Sequence, residues 1–577
     1  MIRFYQIFDP DSEYQREKLN ASLDIFKKYY NYYEDYAEKI PQKIKQQAEL
    51  GYKVGMIIAE SLKDGVVGFA LYNHFWDVQL SYLEFIVTRR DIRGRGLGGA
   101  LYESLRETLF YHGSKGLFLE ARPDVSKLVR QKEELKQNKI RMKFYESYDV
   151  RPIQGILYDI PPFGKWVPPF LLYDHLGRNR PLKASDCKKI VKKILVERYG
   201  VSPTDRYLKK MIKSIKKENI STRPFKYIKK VEKIFPSVKK SLFNPLKVVY
   251  NEKHKIHHIK EIGYVERPVR VQTILKAIED LPFIEFKSPR VFSENYIKEV
   301  HAKYYVNYIK NVCKSLKENE VIYPYVFPIR YPDRKPRDRG IRAGYYCIDT
   351  FTPLTGNVYP AARDAVNCAL TGAELIMKKG EHIVYSICRP PGHHAEKDSY
   401  GGFCYFNNSA IAANYLSKKG KVAILDIDFH HGNGTQNIFY NSKKVLFVSI
   451  HGTPYTEYPY FSGFSEEKGR GRGYGYNYNF PLDEKVKDEK YLKILKKALR
   501  TIRRFSPKFL VVSTGFDISK DDPTGSWMIT SEGFREIGKA LSTFSIPILI
   551  VQEGGYTTRA LGKNVRNFLA GICSKYF

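Results

Sequence analysis

The sequence predicts an α/β protein in which a mixed α/β domain is followed by a larger domain with a parallel β-sheet flanked by helices. Beyond residue 244, short β-branched and apolar runs alternate with amphipathic helical stretches, the pattern of a parallel sheet covered by helices. Residues with metal-ligand chemistry directly follow several of these runs, as in sheets that place their sites at the carboxyl ends of strands. We therefore expect domains at 1–180 and 244–577, joined by residues 181–243.

The larger domain contains the clearest individual elements. Its strands are expected where apolar runs are short and rich in valine and isoleucine, and its helices where apolar residues recur at helical spacing. The predicted strands are 383–387, 422–425, 445–450, 509–513 and 546–551, and the predicted helices are 359–378, 408–417, 489–504 and 531–541. The glycine-rich stretch 469–482 has neither a GK[ST] motif nor a following helix start, so we predict a plain loop there.

The segment LDIDFHHGNGTQ, residues 425–436, is the most informative part of the chain. A buried apolar strand leads straight into Asp426, Asp428 and His430, and the alternation of a strand places these three side chains on one face. A second apolar run ends in STGFD, whose last residue is Asp517. Asp428, His430 and Asp517 together give three protein ligands for one divalent ion, which leaves a position open for catalysis. Two carboxylates make this site rich in oxygen, which suits Zn²⁺ and is compatible with Fe²⁺.

Other polar residues at strand ends complete a hydrolytic set. The motif RPPGHHA contains His393 and His394, adjacent rings that can serve as a general base and a general acid. Asp426 is placed to orient one ring and Asn433 the other. The motif QEGGY ends in Tyr556, whose hydroxyl can donate to a tetrahedral oxyanion.

These motifs resemble the arginase-fold, zinc-dependent deacetylase family that includes histone deacetylases and acetylpolyamine amidohydrolases. The resemblance covers residues 244–577 and implies that Asp428, His430 and Asp517 bind zinc. It also implies that His393 and His394 act as electrostatic and acid–base partners and that Tyr556 polarises the acetyl carbonyl. The remaining residues that it assigns are a substrate tunnel at Gly402, Phe403 and Tyr458, and a monovalent-cation (K⁺) site at Asp426, Asp428, His430 and Ser449.

The loop before the segment GYYC departs from the polyamine-processing relatives, which have acidic residues there. Between residues 330 and 342 this chain has six basic and two acidic residues, and a cationic polyamine would meet like charge. The basic residues are Arg330, Arg334, Lys335, Arg337, Arg339 and Arg342. The loop therefore favours acetyl-lysine in a protein over acetylpolyamines, with an acetylpolyamine amidohydrolase of amine metabolism as the alternative. A ureohydrolase of the same fold would need a two-metal cluster, which the sequence does not offer.

The N-terminal region has its own motif, SYLEFIVTRRDIRGRGLGGALYESLR, at residues 81–106. A strand leads through a basic, glycine-rich turn into a helix, and such a turn can present backbone N–H groups and the helix N-terminus to a pyrophosphate. This order resembles a GNAT-type N-acetyltransferase over residues 1–175. The resemblance implies that acetyl-CoA binds through Ile86 and Val87 and through the turn residues Arg93, Gly94, Arg95, Gly96, Leu97 and Gly98.

The same resemblance assigns catalytic residues to the N-terminal domain. Tyr145 matches a tyrosine that protonates the leaving thiolate, and Glu84 is a candidate general base for the attacking amine. A structural ion pair is an equally good interpretation of Glu84. The domain could also bind acetyl-CoA as a sensor without transferring the acetyl group. The sequence thus predicts a bifunctional protein that adds and removes acetyl groups on amines or lysines.

Charge and cysteine content limit the possible partners and cellular location of the protein. The net charge is +35, and residues 181–240 alone contain 19 Lys or Arg and 5 Asp or Glu. We interpret this segment as a basic helical linker, with binding of an acidic partner or nucleic acid as the alternative. The seven cysteines never form a CxxC pair, and neither a signal peptide nor a membrane span is expected. We therefore expect a cytoplasmic protein without a membrane partner, and the sequence leaves a homo-oligomer open.

Overall fold

The chain forms two compact units in this computed structural model. It describes residues 2–7, 9–30, 34–61, 64–89, 91, 97–165, 167–177, 181–216, 218–228, 245–261, 263–318, 320–329, 333–520 and 522–574. The first unit comprises residues 1–234 with 261–264, and the second comprises 235–260 with 265–577. No helix within the described ranges is long and apolar enough to cross a membrane.

The first unit is built on a mixed seven-stranded sheet. Its strand order is β1-β2-β3-β4-β5-β7-β6, and the neighbours are antiparallel except for the parallel pair β4 and β5. A separate two-stranded sheet joins β8 to β9. The strands are β1 (Ile2–Ile7), β2 (Lys53–Ser61), β3 (Gly65–Phe75), β4 (Leu80–Thr88), β5 (Leu117–Ala121), β6 (Arg151–Pro152), β7 (Phe170–Asp174), β8 (Leu182–Lys183) and β9 (Asn219–Ile220).

Helices cover both faces of this sheet. One apolar cluster joins the sheet to α1, α2, α6 and α7, and a second joins it to α4 and α5. The helices are α1 (Glu13–Tyr29), α2 (Glu34–Lys45), α3 (Gln47–Leu50), α4 (Leu97–Tyr111), α5 (Lys132–Glu146), α6 (Ala184–Lys193) and α7 (Arg206–Ser214). A π-helical turn, Ile194–Arg198, continues α6.

The structure differs here from the expected linker at 181–243. The described part of that segment belongs to the first unit, because its helices bury Ile190, Ile194, Leu195 and Met211 in the cluster that also contains Phe26 of α1. Within the two helices, the opposite side of each is apolar and buried. The exposed lysines are Lys188, Lys189, Lys192, Lys209, Lys210 and Lys213. Residues 229–243 lie outside the described ranges.

The second unit is built on an eight-stranded, all-parallel sheet of order β11-β10-β14-β19-β18-β15-β16-β17. Its strands are β10 (Leu246–Tyr250), β11 (Ile284–Lys287), β14 (Ile383–Ile387), β15 (Val422–Asp426), β16 (Val445–Gly452), β17 (Asn477–Leu482), β18 (Phe509–Thr514) and β19 (Ile548–Gln552). The pair β12 (Val321–Ile322) and β13 (Leu354–Thr355) stands apart from the sheet. The predicted α/β class with a parallel sheet is confirmed.

Helices pack on both faces of the second sheet as well. One core contains α10, α12 and α13, and the other contains α8, α15, α16 and α17. The helices of this unit are α8 (Val269–Ile278), α9 (Asn295–Lys298), α10 (Lys303–Ser315), α11 (Arg339–Tyr346), α12 (Val358–Lys379), α13 (Asn408–Ser417), α14 (Asn433–Phe439), α15 (Asp488–Phe505), α16 (Ser531–Ser542) and α17 (Thr558–Ile572). All seven cysteines are free and buried, with Cys187 in the first unit and the other six in the second.

Candidate active sites

The three predicted metal ligands meet at the carboxyl edge of the second sheet. Asp428 and His430 follow β15, and Asp517 follows the neighbouring strand β18. One ligand atom from each lies within 4.8 Å of the other two. The Nδ1 atom of His430 is 3.4 Å from Asp428 Oδ1 and 3.2 Å from Asp517 Oδ2, so the nitrogen and both carboxylates point at one place. Two carboxylates and one imidazole in this arrangement fit a divalent cation.

Backbone N–H groups hold the two carboxylates in position. Asp428 Oδ2 accepts the N–H of Gly554 at 2.8 Å, and Asp517 Oδ1 accepts the N–H of Phe429 at 2.9 Å. A Cβ on Gly554 would lie 2.4 Å from Asp517 Oδ2 and 2.6 Å from Asp428 Oδ2, so glycine is required here. Burial and the adjacent Asp428 raise the pKa of Asp517 to about 7. Two buried carboxylates this close favour a bound divalent cation, which removes that mutual repulsion.

The two histidines have distinct surroundings. His393 Nδ1 donates to Asp426 at 3.0 Å, and His394 Nδ1 donates to Asn433 Oδ1 at 2.8 Å. Burial works against charge on His393, but Asp428 and Asp426 outweigh it and raise its pKa to about 10. Burial and the charge of His393 lower the pKa of His394. The ring centroids are 4.0 Å apart, so the two imidazoles lie side by side with different hydrogen-bond partners.

Tyr556 is held by two residues to which sequence reasoning assigned no role. Asp522 Oδ2 accepts the N–H groups of Tyr556 and Thr557 at 2.7 and 2.9 Å. The guanidinium of Arg270 lies 4.6 Å from the centroid of the Tyr556 ring and donates to the carbonyl of Gly555 at 2.7 Å. Burial raises the pKa of Tyr556 well above its ordinary value, so its hydroxyl keeps its proton and remains a donor.

Glu553 and Asp349 are further site residues that the sequence did not reveal. Glu553 Oε2 accepts the N–H groups of Gly392 and His393 at 2.7 and 3.2 Å, and burial raises its pKa to about 7. Asp349 accepts the N–H of Gly402 at 2.6 Å and the hydroxyl of Tyr458 at 3.1 Å. Both bind backbone N–H groups of the site, and Asp349 also binds the Tyr458 hydroxyl. In the sequence, Glu553 is marked only as the acidic residue of QEGGY, and Asp349 is not marked at all.

The predicted tunnel residues lie beside the histidines. The Tyr458 ring is perpendicular to His394 at a centroid distance of 4.8 Å, and the Phe403 ring lies 5.8 Å from Tyr556. Phe351 contacts both aromatic residues at 5.5 and 5.7 Å, a third aromatic wall that was not predicted. Gly402 has φ +56°, and a Cβ there would lie 2.1 Å from His394 Cδ2, so it must be glycine for the ring to keep its place.

Several cations of the basic loop have local partners. Arg339 Nη1 lies 3.1 Å from Glu320, Arg342 packs over Tyr308, and Lys335 packs over Tyr304. Arg334, Lys335, Arg337 and Arg339 are exposed, and Arg330 lies outside the described residues. The ion pair with Glu320 offsets the charge of Arg339 only, because a contact with an aromatic ring leaves the charge of Arg342 and Lys335 in place.

The predicted potassium-site residues also lie together. Asp426 and Ser449 are paired across the adjacent strands β15 and β16, and both are fully buried. The Ser449 hydroxyl lies 2.7 Å from His451 Nδ1. This arrangement leaves the potassium site a prediction.

In the first unit, strands β4 and β5 separate where acetyl-CoA is expected to bind. The two strands pair only from Ser81 to Leu83, whereas β4 runs on to Thr88 along β3. Within the described residues, Ile86 and Val87 therefore lie on a strand edge that has no partner from β5, and such an edge presents free backbone groups to a ligand.

The other predicted acetyl-CoA residues are placed in part. Leu97 and Gly98 begin α4, and Arg93, Gly94, Arg95 and Gly96 lie outside the described residues. Tyr145 of α5 is buried against Tyr102 and Phe144, with ring centroids 5.6 and 5.2 Å away. Burial raises the pKa of its hydroxyl, which makes it a proton donor and not a base.

Glu84 is deeply engaged with its surroundings. Its side chain is 1% exposed, it accepts hydrogen bonds from Tyr36 and Asn73, and Arg198 Nε lies 3.5 Å from it. The ion pair that the sequence left open is thus present, and its partner comes from the π-helical turn after α6.

Comparison with known proteins agrees with this geometry. Residues 264–572 match the histone deacetylase domain family, and residues 19–130 match the acetyltransferase (GNAT) family. The chain is 37% identical over 338 residues to acetylpolyamine amidohydrolase 2 of Pseudomonas aeruginosa, covering 56% of this chain and 98% of that protein. It is 36% identical over 341 residues to the acetylpolyamine amidohydrolase of Mycoplana ramosa, covering 57% and 99%. The crystal structure of an acetylpolyamine aminohydrolase from Burkholderia pseudomallei is similar, with a TM-score of 0.54, 33% identity and coverage of 57% and 99%.

Proposed function

The chain belongs to the histone deacetylase family, and from that premise we propose that its second unit hydrolyses N-acetylated amines with one divalent metal ion. The observation that supports this most directly is the convergence of Asp428, His430 and Asp517 beside the His393–His394 pair. We propose Zn²⁺ as the metal, with Fe²⁺ as the alternative for the same oxygen-rich donor set. When bound, such an ion supplies a Lewis acid that polarises a carbonyl and lowers the pKa of water. We further propose K⁺ at Asp426, Asp428, His430 and Ser449.

The protein residues divide the proton transfers between them. His393 donates from Nδ1 to Asp426 and His394 donates from Nδ1 to Asn433, so each ring presents Nε2 to the site. An imidazole whose Nε2 is unprotonated takes a proton from the attacking water, and one whose Nε2 is protonated delivers a proton to the leaving amine. The protonated hydroxyl of Tyr556 donates to the oxygen that becomes negative in the transition state.

The substrate class has one leading candidate and one alternative. The relatives matched over nearly their whole length are called acetylpolyamine amidohydrolases, which supports a small acetylated polyamine as the substrate. The exposed cations Arg334, Lys335 and Arg337 favour acetyl-lysine within a protein instead. We propose acetylpolyamines, because these relatives match the second unit over nearly their whole length and because Glu320 offsets the charge of Arg339 in the basic loop.

The test is acetate release from a panel of acetylated polyamines and acetyl-lysine peptides, with zinc present. An Asp428→Asn variant, which keeps the size of the ligand, should lose both metal and turnover. Preferred turnover of acetylpolyamines supports the proposal, and preferred turnover of peptides favours the alternative. If the protein binds metal but releases acetate from no substrate of the panel, both proposed substrate classes are contradicted.

We also propose that the first unit transfers acetyl groups from acetyl-CoA. The separation of β4 from β5 after Leu83 supports this most directly, since it leaves the β5-facing edge of Ile86 and Val87 available to bind acetyl-CoA. Calorimetry with acetyl-CoA is the test, with Arg93→Ala and Arg95→Ala expected to weaken binding at least tenfold. Arg122, an exposed residue paired with Glu134, provides the control variant Arg122→Ala. Unchanged affinity in the first two variants would show that the turn does not hold the pyrophosphate.

The two activities run in opposite directions on the same chemical bond. We propose that they act on related amines, with Tyr145 protonating the thiolate and Glu84 accepting the proton of the amine. The exposed lysines of α6 and α7, on the described part of the basic segment, remain candidates for binding an acidic partner or nucleic acid. Loss of salt-dependent DNA retention after charge reversal of these lysines would support that role.

A further inference from the structure

A cluster of carboxylates and aromatic rings lies on the face of the first sheet that α1, α2, α6 and α7 cover. Strand β4 contains a bulge, since Phe85 pairs with Leu71 and Leu83 pairs with Tyr72, which leaves Glu84 between them. A bulge re-aims a side chain, and here both Glu84 and Phe85 contact Tyr36 of α2.

A second buried carboxylate stands on the next strand. Glu120 of β5 accepts hydrogen bonds from the hydroxyls of Tyr158 and Tyr199, the latter at 2.7 Å. Burial raises the pKa of Glu120, and the charge of Arg198 works in the opposite direction. Two carboxylates in one buried region are costly unless cations compensate them.

Arg198 provides the central compensation. Its guanidinium lies 3.9 Å from the ring centroid of Tyr36, 5.3 Å from that of Phe85 and 5.4 Å from that of Tyr199. Its Nε atom is 3.5 Å from Glu84, and only 9% of the side chain is exposed. The guanidinium is therefore surrounded by three aromatic rings and by carboxylate charge.

These surroundings are the chemistry of a receptor for an organic cation. Aromatic faces attract a desolvated cation, and carboxylates fix its position. Lys43, whose Nζ lies 2.9 Å from the Tyr36 hydroxyl, provides the second positive charge. Removing Arg198 would leave one carboxylate of the cluster without a compensating cation, and an external cation of similar shape could then bind.

We propose that Tyr36, Glu84, Phe85, Glu120 and Tyr199 form a binding site for an organic cation with an alkyl stem, and that Arg198 occupies it as an internal ligand. Because Glu84 lies on the strand that continues to Ile86 and Val87, the natural occupant is the ammonium group of the amine to be acetylated, whose proton Glu84 then accepts. Arg198 thus holds the acetyltransferase closed until the π-helical turn moves away. The link to acetyl transfer rests on the proposed function of the first unit, whereas the cation site does not.

Binding to the full-length protein tests the site itself. Calorimetry with methylguanidinium, spermidine and Nα-acetyl-lysine amide should show at least tenfold tighter binding of the first two to Arg198→Ala than to the wild type. The third probe, which carries a free side-chain ammonium, distinguishes a lysine-type occupant from a polyamine. If the alanine variant does not fold, Arg198→Met keeps an unbranched apolar side chain at this position and removes the guanidinium.

Arg106→Ala is the matched control. Arg106 is half-buried in the first unit, paired with Asp174 at 2.8 Å and packed 5.5 Å from the Tyr148 ring. In those contacts its partners are one carboxylate and one ring. Equal gains of cation binding in the Arg106 and Arg198 variants would overturn the proposal, because any vacated arginine would then do the same. Absence of a gain in both Arg198 variants would overturn it as well.

Acetyl transfer tests the closure. With the second unit silenced by Asp428→Asn, so that products are not hydrolysed, the Arg198→Met variant should raise kcat/KM for spermidine at least tenfold. A lower or unchanged kcat/KM, in a protein that binds acetyl-CoA, would refute closure by Arg198. If neither protein binds acetyl-CoA, the proposed function of the unit fails, and the calorimetry with methylguanidinium still decides the cation site.

Discussion

Replacing Gly402 with alanine should disable the deacetylase through a single contact. The added Cβ would lie 2.1 Å from His394 Cδ2, whereas ordinary contact begins near 3.4 Å. The ring must therefore move by roughly 1.3 Å or the backbone of Gly402 must yield. His394 has little room, because Asn433 binds its Nδ1 at 2.8 Å and Tyr458 lies against its face.

The expected loss can be divided into two parts. Alanine at φ +56° costs about 1–2 kcal/mol of stability, because the left-handed region crowds Cβ against the carbonyl. Displacing a catalytic ring by roughly 1 Å lowers turnover by about 100-fold. His394 is not one of the three predicted ligands, so the metal content should remain that of the wild type.

The assay combines acetate release with elemental analysis of the purified protein. Gly380→Ala is the control, since Gly380 ends α12 with φ +70° and a Cβ there meets nothing within 4 Å. It should lose stability to a similar extent and keep full turnover. Full activity in a folded Gly402→Ala protein, or an equal loss in Gly380→Ala, would refute the argument from the contact with His394.

Three further outcomes follow from buried polar groups. Burial lowers the pKa of His301 to about 4, and its Nε2 accepts the N–H of Asn407. Neutral His301 therefore stabilises the folded state fully above about pH 6.5, and this stabilisation is lost as the pH falls towards 4. It amounts to about 3 kcal/mol, and urea midpoints should show a shallower pH dependence in His301→Gln. Asp522→Asn should weaken two charge-assisted bonds that hold the Tyr556 backbone, worth about 3 kcal/mol together, and should lower kcat with unchanged metal content. Arg270→Ala should lower the unfolding free energy by about 3–5 kcal/mol, because Glu266 is left buried with one cation fewer. Urea denaturation tests this last outcome, and a loss below 1 kcal/mol would contradict it.

Strands buried on both faces were predictable to within a few residues. The runs predicted at 383–387 and 422–425 are β14 and β15, because a strand covered by helices on both sides needs a continuous apolar sequence. The stretch 469–482 was wrongly predicted to be loop throughout, since Asn477–Leu482 forms the edge strand β17. Its Asn477 and Asn479 side chains bind Gln436, so polar contacts replace the apolar pattern there.

The basic segment shows what charge alone does not determine. Nineteen cations in 60 residues suggested a solvated linker, yet the helices α6 and α7 bury one apolar side within the first unit. The amphipathic spacing was visible in the sequence, but the surface that it packs against comes from distant strands and helices. Arg198 meets Glu84 for the same reason, since only the folded chain brings these two residues together.

The predicted site residues lie in motifs, or at the ends of apolar strands, that can be recognised in the sequence. Asp428 and His430 follow a single strand, so strand geometry alone predicts their shared face. Asp522, Asp349 and Arg270 act through backbone N–H and C=O groups or through ring faces of other segments. Such contacts leave no residue pattern, because any residue type can supply the backbone group that is bound.

The burial of every thiol provides a way to observe each unit opening separately. Burial raises the pKa of Cys187 to about 12 and of Cys313 to about 12, so in the folded chain neither reacts as a thiolate. Cys187 is the single cysteine of the first unit, and the remaining six lie in the second. Pulsed alkylation followed by peptide mapping would therefore record which unit unfolds first under heat or denaturant, without any introduced label.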